Sequence, residues 1–239
     1  MTTIKIHFNV LKKIVSAAYK LKRGAYLYEN LVLDGLKVLD MLRDVGCKVT
    51  VKGNENLNGL NQPCVFIANH MSTLETLVLP AVIGKQIRIT FVVKESLLNY
   101  PFFGKILSML KPIAVTRKNP KEDYRTVIQE GIKRLQEGIS VVVFPQATRQ
   151  IVFDPVKFNT LGIKLAKKAS VPVVPIALRT DAWGIGRIFK DFGKIDPSKP
   201  VYFFIGKPLY IEDKGIKEHL YIVEFIRKSL EKGDVDVLR

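Results

Sequence analysis

The chain has 239 residues, 47% of them hydrophobic, and a formal net charge of +16. This length and hydrophobic content allow one sizeable domain, or a domain with a small addition. No stretch approaches the ~18–20 uninterrupted apolar residues of a membrane-spanning helix. Lysines interrupt every apolar run near the N-terminus, which argues against a cleavable signal peptide. The two cysteines, Cys47 and Cys64, lack metal-binding or redox spacing, so we interpret them as reduced thiols.

The positive charge is unevenly distributed along the chain. Residues 1–23 contain six Lys or Arg and no Asp or Glu. Such a basic surface suits anionic lipid headgroups, phosphorylated substrates, an acidic carrier protein or nucleic acid. Charge alone does not choose among these partners.

Residues 4–45 are predicted to form two helices separated near Arg23 and Gly24, because apolar residues recur at helical spacing in both parts. These positions are Ile6, Val10, Ile14 and Ala17 or Ala18 in the first helix, and Leu31, Leu36, Leu39 and Leu42 in the second. A basic amphipathic hairpin of this kind is typical of an interfacial membrane anchor. The alternative is a helical pair packed on the main domain, and both hold if one helix packs while the other touches lipid. We therefore divide the chain into a two-helix unit, residues 1–46, and an α/β unit, residues 47–239.

From about Lys48 the pattern changes to alternating strands and helices. The predicted strands are residues 48–52, 65–68, 88–93, 113–116, 140–144, 173–178 and 201–205. The predicted helices are residues 73–83, 97–109 with a break at Pro101 and Gly104, 121–137 closed by Gly138, 160–169 and 217–231. Apolar strands without alternation are typical of parallel strands covered on both faces. The predicted fold class is thus α/β: a mainly parallel mixed sheet flanked by helices and preceded by an N-terminal amphipathic helical hairpin.

One histidine lies where an α/β sheet places its chemistry. His70 follows the apolar strand 65–68, and Glu75 comes five residues later. Loops at the carboxyl ends of strands are held by rigid structure and face a crevice. Histidine is the side chain best suited to accept a proton near neutral pH. His70 is therefore a candidate general base, and Glu75 is the candidate carboxylate that orients it.

Glu75 also has a purely structural interpretation. Residues 72–75, Ser-Thr-Leu-Glu, match the capping box, in which a Glu at N3 accepts the backbone N–H of the N-cap residue. His70 and Glu75 can meet only if His70 lies in the loop and Glu75 in the first helical turn. A cap at Ser72 would place them in this way.

Two further strands end in basic segments. Strand 113–116 is followed by Arg117 and Lys118, and strand 140–144 leads to Arg149. Parallel strands end at one edge of a sheet, so His70, Arg117 and Arg149 can converge on one crevice. The planar guanidinium of Arg149 suits phosphate. Taken singly, each arginine is typical of a solvated surface charge.

Other functional classes lack their motifs. There is no Gly-x-Ser-x-Gly element of a serine hydrolase. The histidines His7, His70 and His219 have no metal-ligand spacing, so we expect no metal. No zinc spacing, helix-turn-helix signature or RNA-binding aromatic motif is present, and nucleic acid is not an expected partner.

Four short blocks resemble those of a known family. Asn69-His70 with an acid five residues later, Arg117 at a strand end, Phe144-Pro145-x-x-Thr148-Arg149, and residues 171–175 (Val-Pro-Val-Val-Pro) occur in the order found in the glycerolipid acyltransferases. Over roughly residues 65–206 the chain is similar to the bacterial 1-acyl-sn-glycerol-3-phosphate acyltransferases and related lysophospholipid acyltransferases. The preceding hairpin is similar to the membrane-docking helices of that family.

The resemblance implies transfer of a fatty acyl group from acyl-CoA or acyl-carrier protein to the free hydroxyl of a lysophospholipid, without a cofactor. The implied acceptor is 1-acylglycerol 3-phosphate, which gives phosphatidic acid; another lyso-lipid is the alternative. His70 would be the base, supported by Glu75. The implied substrate-binding residues are Arg117, Lys118, Gln146, Thr148 and Arg149, and the implied acyl or acceptor pocket contains Asn69, Pro145, Val173 and Pro175. The implied location is the cytoplasmic face of the inner membrane, as a peripheral or monotopic protein on an anionic lipid surface.

Two departures from the family pattern bear on the acceptor. The family acid is usually Asp where this chain has Glu75, and the third block is usually Phe-Pro-Glu-Gly-Thr-Arg where this chain has Gln146 and Ala147.

Backbone N–H groups near Ser72 or in the Gln146–Ala147 turn are candidates for stabilising the oxyanion. An apolar stretch could contribute to an acyl groove or to the core; its members are Leu97, Leu98, Phe102, Phe103, Ile106 and Leu107.

Overall fold

The structure, a computed structural model, describes residues 3–84, 87–186 and 190–232. Its strands are β1 (Val49–Lys52), β2 (Val65–Ala68), β3 (Ile89–Lys94), β4 (Ile113–Val115), β5 (Ser140–Val143), β6 (Val173–Arg179) and β7 (Val201–Ile205). They form one sheet in the order β1-β7-β6-β2-β5-β3-β4. The β6–β7 pair is antiparallel, and the other neighbouring pairs in the described ranges are parallel. The carboxyl ends of β2, β3, β4, β5 and β6 therefore share one edge of the sheet.

Seven α-helices accompany this sheet in the described ranges. They are α1 (Thr3–Lys22), α2 (Tyr28–Asp44), α3 (Leu74–Val82), α4 (Phe103–Met109), α5 (Pro120–Gln136), α6 (Leu161–Ala169) and α7 (Ile216–Lys232). Short 3-10 helices cover Asn54–Leu57, Glu95–Asn99 and Pro155–Lys157. Local sequence explains both ends of α5. Asn119 caps its first turn through its side chain, and Gly138, at φ 76°, follows its C-terminus.

Alternate residues of the central strands face two separate apolar layers. Phe66 of β2 and Val174 of β6 pack with α1, α2 and α3 on one face. Ile67 and Val173, their neighbours, pack with α5, α6 and α7 on the other face. Burial on both faces explains the uninterrupted apolar character of these strands. The predicted α/β class, with a mainly parallel mixed sheet between helices, is confirmed.

The first helix has an apolar surface on each of two sides. Ile6 and Val10 are buried in the core that also contains Leu39 and Leu42 of α2. Other large apolar residues of α1 point into solvent: Ile4, Phe8, Leu11, Val15 and Tyr19. No helix in the described parts of the chain is long and apolar enough to cross a bilayer. Residues 1–2 and 233–239, the outer ends of the two predicted units, lie outside the described residues.

The predicted helix over residues 97–109 differs in its course. The chain forms the 3-10 helix Glu95–Asn99, turns at Phe102 with φ 60°, and enters α4 only at Phe103. Pro101 explains the interruption, because proline lacks the N–H that would continue the helical hydrogen bonding. Asn54–Leu57, between β1 and β2, is likewise a short 3-10 helix.

Candidate active site

His70 and Glu75 meet at the carboxyl edge of β2. His70 lies in the loop, Glu75 lies in the first turn of α3, and Nδ1 of the imidazole is hydrogen-bonded to Oε2 of the carboxylate. The Glu75 side chain is fully buried, whereas that of His70 is 17% exposed. A carboxylate at Nδ1 favours the tautomer with its proton on Nδ1. The lone pair of Nε2 is then the position that can accept a proton from a substrate.

The plane of the imidazole is fixed by an aromatic neighbour. Phe144, directly after β5, stacks on His70 with ring centroids 4.3 Å apart and an angle of 20° between planes. Phe91 of β3 lies behind Phe144 at 6.3 Å in a nearly parallel orientation. Three neighbouring strands thus contribute to the orientation of one imidazole ring.

Glu75 serves as both the histidine partner and the helix-capping group. Its Oε1 accepts the backbone N–H groups of Met71 at 2.7 Å and Ser72 at 3.0 Å, and it also accepts the hydroxyl of Thr180. The second oxygen is thereby left for His70. The two interpretations of Glu75 are compatible because each uses a different carboxylate oxygen. The helix begins at Leu74 with Thr73 as N-cap, one residue later than the capping box predicted.

Asn69 fixes the point at which the chain leaves β2. Its side-chain Nδ2 donates to the carbonyl of Leu178, and its Oδ1 accepts the N–H of the same residue, both at 2.8 Å. The amide therefore extends the β2–β6 ladder by one side chain. Asn69 is 1% exposed, so its contribution is to hold the His70 loop against β6.

Gln146 joins the His70 loop to the loop after β5. Its Oε1 accepts the backbone N–H of His70, and its Nε2 donates to Oε1 of Gln150, each at 3.2 Å. The N–H of Gln150 in turn donates to the carbonyl of His70 at 2.8 Å. Ala147 lies between them at φ 59°, a left-handed conformation that favours glycine. The backbone at position 147 therefore has a conformation typical of glycine, although the residue is alanine.

The proposed oxyanion donors are engaged within the protein. The N–H groups of Met71 and Ser72 both donate to Glu75. The N–H of Ala147 donates to the carbonyl of Phe144 at 3.0 Å, and that of Thr148 donates to Gln146 at 2.7 Å. The expectation that the Ser72 or Ala147 N–H groups face the reacting carbonyl therefore does not fit this arrangement.

Arg149 lies beside the start of α3. Its Nη1 donates to the hydroxyl of Thr73 and to Oδ1 of Asp191, the latter at 2.8 Å. Thr73 also donates to the same Asp191 oxygen at 2.9 Å. One side of the guanidinium is therefore held by an acid that the sequence did not indicate.

Arg117 and Lys118 share the edge but stand farther out. They follow β4, the outermost strand, which lies three strand positions from β2, or ~14 Å at ordinary strand spacing. Both are exposed, and the N–H of Arg117 donates to Asp123 at 2.8 Å. The structure thus brings His70, Glu75, Gln146 and Arg149 together and leaves Arg117 and Lys118 at the periphery.

Val173 and Pro175, expected to line a substrate pocket, lie inside the sheet. Both are buried, and Val173 pairs with Val65 at the start of β2, the end opposite to His70. About five residues at ~3.3 Å each separate Val173 from the site. The part of β6 that reaches the site is its end, where Thr180 contacts Glu75 and Ser72. Pro145, after β5, remains at the site edge, and its carbonyl accepts from Asn159.

Thr180 and Asp191 are the site residues that sequence reasoning missed. Thr180 directly follows β6, so the strand-end rule that identified His70 and Arg149 could have found it. Asp191 lies in an irregular segment without periodicity, 42 residues from Arg149.

The fold and the site define an α/β protein that carries a histidine–carboxylate pair at the carboxyl edge of its sheet. A family model described as Acyltransferase matches residues 48–179, and the chain belongs to this family. A protein of Pseudomonas aeruginosa named 1-acyl-sn-glycerol-3-phosphate acyltransferase is 39% identical over 170 residues, covering 71% of this chain and 62% of that protein. A protein of the same name from Borreliella burgdorferi is 27% identical over 187 residues, covering 77% of this chain and 68% of that protein.

A solved structure shares the fold. The crystal structure of the 1-acyl-sn-glycerophosphate (LPA) acyltransferase PlsC from Thermotoga maritima matches with a TM-score of 0.70 and 19% identity, covering 96% of this chain and 93% of that one. The chain spans less than two thirds of the Pseudomonas relative, and its matched part is 45% of a chloroplastic relative from Brassica napus named 1-acyl-sn-glycerol-3-phosphate acyltransferase BAT2.

Proposed function

We propose that this protein transfers a fatty acyl group from an acyl thioester to the free hydroxyl of 1-acylglycerol 3-phosphate, giving phosphatidic acid. The observation that supports this proposal most directly is the pairing of His70 with the buried Glu75 at a sheet edge, within the residues that match the Acyltransferase family. The donor is acyl-CoA or acyl-carrier protein, both of which are anionic and suit a chain of net charge +16. Transfer to a different lyso-lipid is the alternative, motivated by Gln146 and Ala147.

The reaction needs one proton to move twice. Nε2 of His70 removes the proton of the acceptor hydroxyl as the oxygen attacks the thioester carbonyl. The tetrahedral intermediate then collapses, the C–S bond breaks, and the departing sulfur takes the proton from the imidazolium. General-base catalysis of this kind contributes about 10²–10⁴-fold in rate. The charge of Glu75 stabilises the imidazolium between the two transfers.

The acceptor phosphate supplies orientation. Arg149, held next to the first residues of α3, is the phosphate ligand nearest to His70 in this proposal. Arg117 and Lys118 form an outer cationic group at the same edge, suited to the anionic donor or headgroup. Thr148 and Gln146 belong to the turn that carries Arg149. Both polar atoms of the Gln146 side chain are hydrogen-bonded within the protein. Gln146 therefore supports phosphate binding indirectly, by joining the loop of His70 to the loop that carries Arg149.

An apolar cavity of ≈ 50 Å³ lies between α1, α2, α3 and α4, and in this proposal a fatty chain enters it only when these helices move apart. It is lined in part by Leu77, Phe103, Ile106 and Leu107. Thr76 and Leu77 directly follow Glu75 on α3, so the cavity adjoins the helix that carries this carboxylate. Phe103, Ile106 and Leu107 belong to the apolar stretch for which a groove and a core role were both open.

We further propose that α1 docks on the cytoplasmic face of the inner membrane, making the protein peripheral or monotopic. The support is the exposed stripe of large apolar residues on the side of α1 that does not enter the core: Ile4, Phe8, Leu11, Val15 and Tyr19. Lys12, Lys22 and Lys105 border a shallow depression that also includes Val15 and Tyr19. Apolar residues flanked by lysines suit an anionic bilayer surface.

The acceptor can be identified by measuring thiol release from acyl-CoA and from acyl-carrier protein with a panel of acceptors. The panel contains 1-acylglycerol 3-phosphate, the same lipid without phosphate, and lysophospholipids with larger headgroups. We expect the highest kcat/KM with 1-acylglycerol 3-phosphate and a fall of about 10²–10⁴-fold in the kcat of His70→Ala. His219→Ala, on α7, is the control and should keep wild-type rates. Equal rates with the phosphate-free acceptor, or near-wild-type turnover by the His70 variant, would refute the proposal.

A further inference from the structure

One segment of the chain connects the N-terminal helix to the candidate active site. Residues 190–195 run from Arg149 to α1, and their base is held by an antiparallel bridge between Trp183 and Ile195. The hydroxyl of Thr3 pairs with the backbone of Ile195, and the ring of His7 donates from Nε2 to the carbonyl of Gly193 at 2.7 Å. The segment is therefore attached to the first two turns of α1.

Asp191 is held in place from its own backbone. The indole N–H of the buried Trp183 donates to the Asp191 carbonyl at 2.9 Å. His7 lies edge-on to Trp183, with ring centroids 4.8 Å apart, and it also contacts Phe192. The Trp183 contact fixes the peptide group that follows Asp191. Because its backbone is fixed in this way, the Asp191 carboxylate is held beside Thr73 and Arg149.

The described neighbours of Arg149 hold its guanidinium through Nη1. Within the described residues, all of its hydrogen bonds run through Nη1, to Thr73, Asp191 and the carbonyl of Lys190. The Nε and Nη2 atoms, which form the side of the fork suited to a two-point contact with phosphate, have no partner among those residues. A carboxylate that competed with phosphate would be expected to occupy that two-point side. Asp191 instead binds at the opposite corner.

We propose that Asp191 is a positioning residue: together with Thr73 it orients Arg149 so that the Nε–Nη2 side receives the acceptor phosphate. This inference rests on the proposed function and adds to it a specificity determinant outside the four sequence blocks. Asp191 does not touch the reacting atoms. It acts on where the phosphate binds, and through Arg149 alone.

The test is a double-mutant cycle with Asp191→Asn and Arg149→Ala, assayed by thioester release with 1-acylglycerol 3-phosphate. Asparagine keeps an oxygen that can accept from Thr73 but loses the charge that holds the guanidinium. We expect the acceptor KM to rise about tenfold, the loss typical of a hydrogen bond to a charged group. The kcat and the KM of the thioester donor should change less than threefold. In the Arg149→Ala background, Asp191→Asn should cause no further change in the acceptor KM.

Control variants keep the outcome interpretable. Asp40→Asn, which removes an exposed ion pair with Arg43 on α2, should leave all constants at wild-type values. If Asp191→Asn does not fold, as judged by thermal unfolding, Thr73→Val removes the other side-chain partner of Nη1 and should give the same rise in acceptor KM, again only when Arg149 is present.

Three results would overturn the inference. A fall in the acceptor KM of Asp191→Asn would show that this acid competes with phosphate. An equal rise in the Arg149→Ala background would show a general structural effect, while leaving the proposed function intact. A wild-type enzyme that does not distinguish phosphorylated from phosphate-free acceptors would remove the proposed function, and the positioning role with it.

Discussion

Nδ1 of His70 is hydrogen-bonded to the carboxylate of Glu75, and that carboxylate is completely buried. A buried charge is costly unless hydrogen bonds satisfy it. Glu75 receives four such bonds, from His70, Met71, Ser72 and Thr180. The same contacts that stabilise the negative charge therefore also place it beside the imidazole. Folding of the β2–α3 loop and assembly of the candidate base are one event.

Replacing Glu75 by Gln should separate these two roles. The amide oxygen can still accept the N–H groups of Met71 and Ser72, so helix α3 should form. The charge that favours the imidazolium is lost, and we expect kcat to fall by about 10²–10³-fold with little change in either KM. Thiol-release kinetics measure the effect on kcat, and a thermal unfolding curve measures the effect on folding. A variant with wild-type kcat would leave Glu75 as a helix cap only.

Thr180→Val should weaken the support of Glu75 without changing the shape of the side chain. The hydroxyl of Thr180 donates to Glu75 and accepts from Ser72 at 2.9 Å in a fully buried position. Loss of a hydrogen bond to a buried charged group costs about 1–3 kcal/mol, so the free energy of unfolding in urea should fall by that amount. Thr90→Val is a matched control, because the Thr90 hydroxyl is buried and has no partner within the described residues. That substitution should be neutral or stabilising, and equal losses in both variants would contradict the assignment.

The strand-end rule explains why much of this site could be predicted from sequence. Apolar strands mark the sheet, parallel strands end at one edge, and His70 and Arg149 follow two adjacent strands, β2 and β5. The rule does not state how far apart the strand ends lie: Arg117 was expected to converge with His70 and Arg149, and it follows the outermost strand. Nor does a motif indicate which end of a strand faces the site: Val173 begins β6, and the useful contact comes from Thr180 after its end. Asp191 reaches Arg149 through tertiary contacts of an irregular segment, which leave no periodic pattern in the sequence.

Ala147→Gly should stabilise the protein. Alanine at φ 59° is strained by about 1–2 kcal/mol relative to glycine. Glycine offsets ~0.5–1 kcal/mol of this gain, because it has more conformational freedom to lose when the chain folds. We expect a net gain of up to about 1.5 kcal/mol in the free energy of unfolding in urea. Gly138→Ala, at φ 76° with open space around the position, is the reverse control and should destabilise. A loss of stability in Ala147→Gly would mean that the alanine methyl group makes a compensating contact.

Membrane docking predicts that charge placed on the exposed side of α1 abolishes lipid binding. In the double variant Phe8→Glu and Leu11→Glu, the changed side chains are 64% and 47% exposed in the wild type, so folding should be preserved. Burying a large apolar side chain stabilises by about 1.5–3 kcal/mol, so losing two should reduce the partition coefficient onto anionic vesicles by at least tenfold. Sedimentation of vesicles with bound protein measures this directly.

The matched control places the same charge on another exposed apolar surface. Leu220 and Tyr221 of α7 are 60% and 47% exposed, and their double substitution by Glu changes net charge by the same amount. If α1 is the docking surface, this variant loses only the electrostatic part of binding. Raising the salt concentration should therefore bring it close to wild type, because salt screens charge but not apolar burial. The α1 variant should stay unbound at every salt concentration. Equal losses in the two variants at high salt would indicate that the bilayer does not select α1.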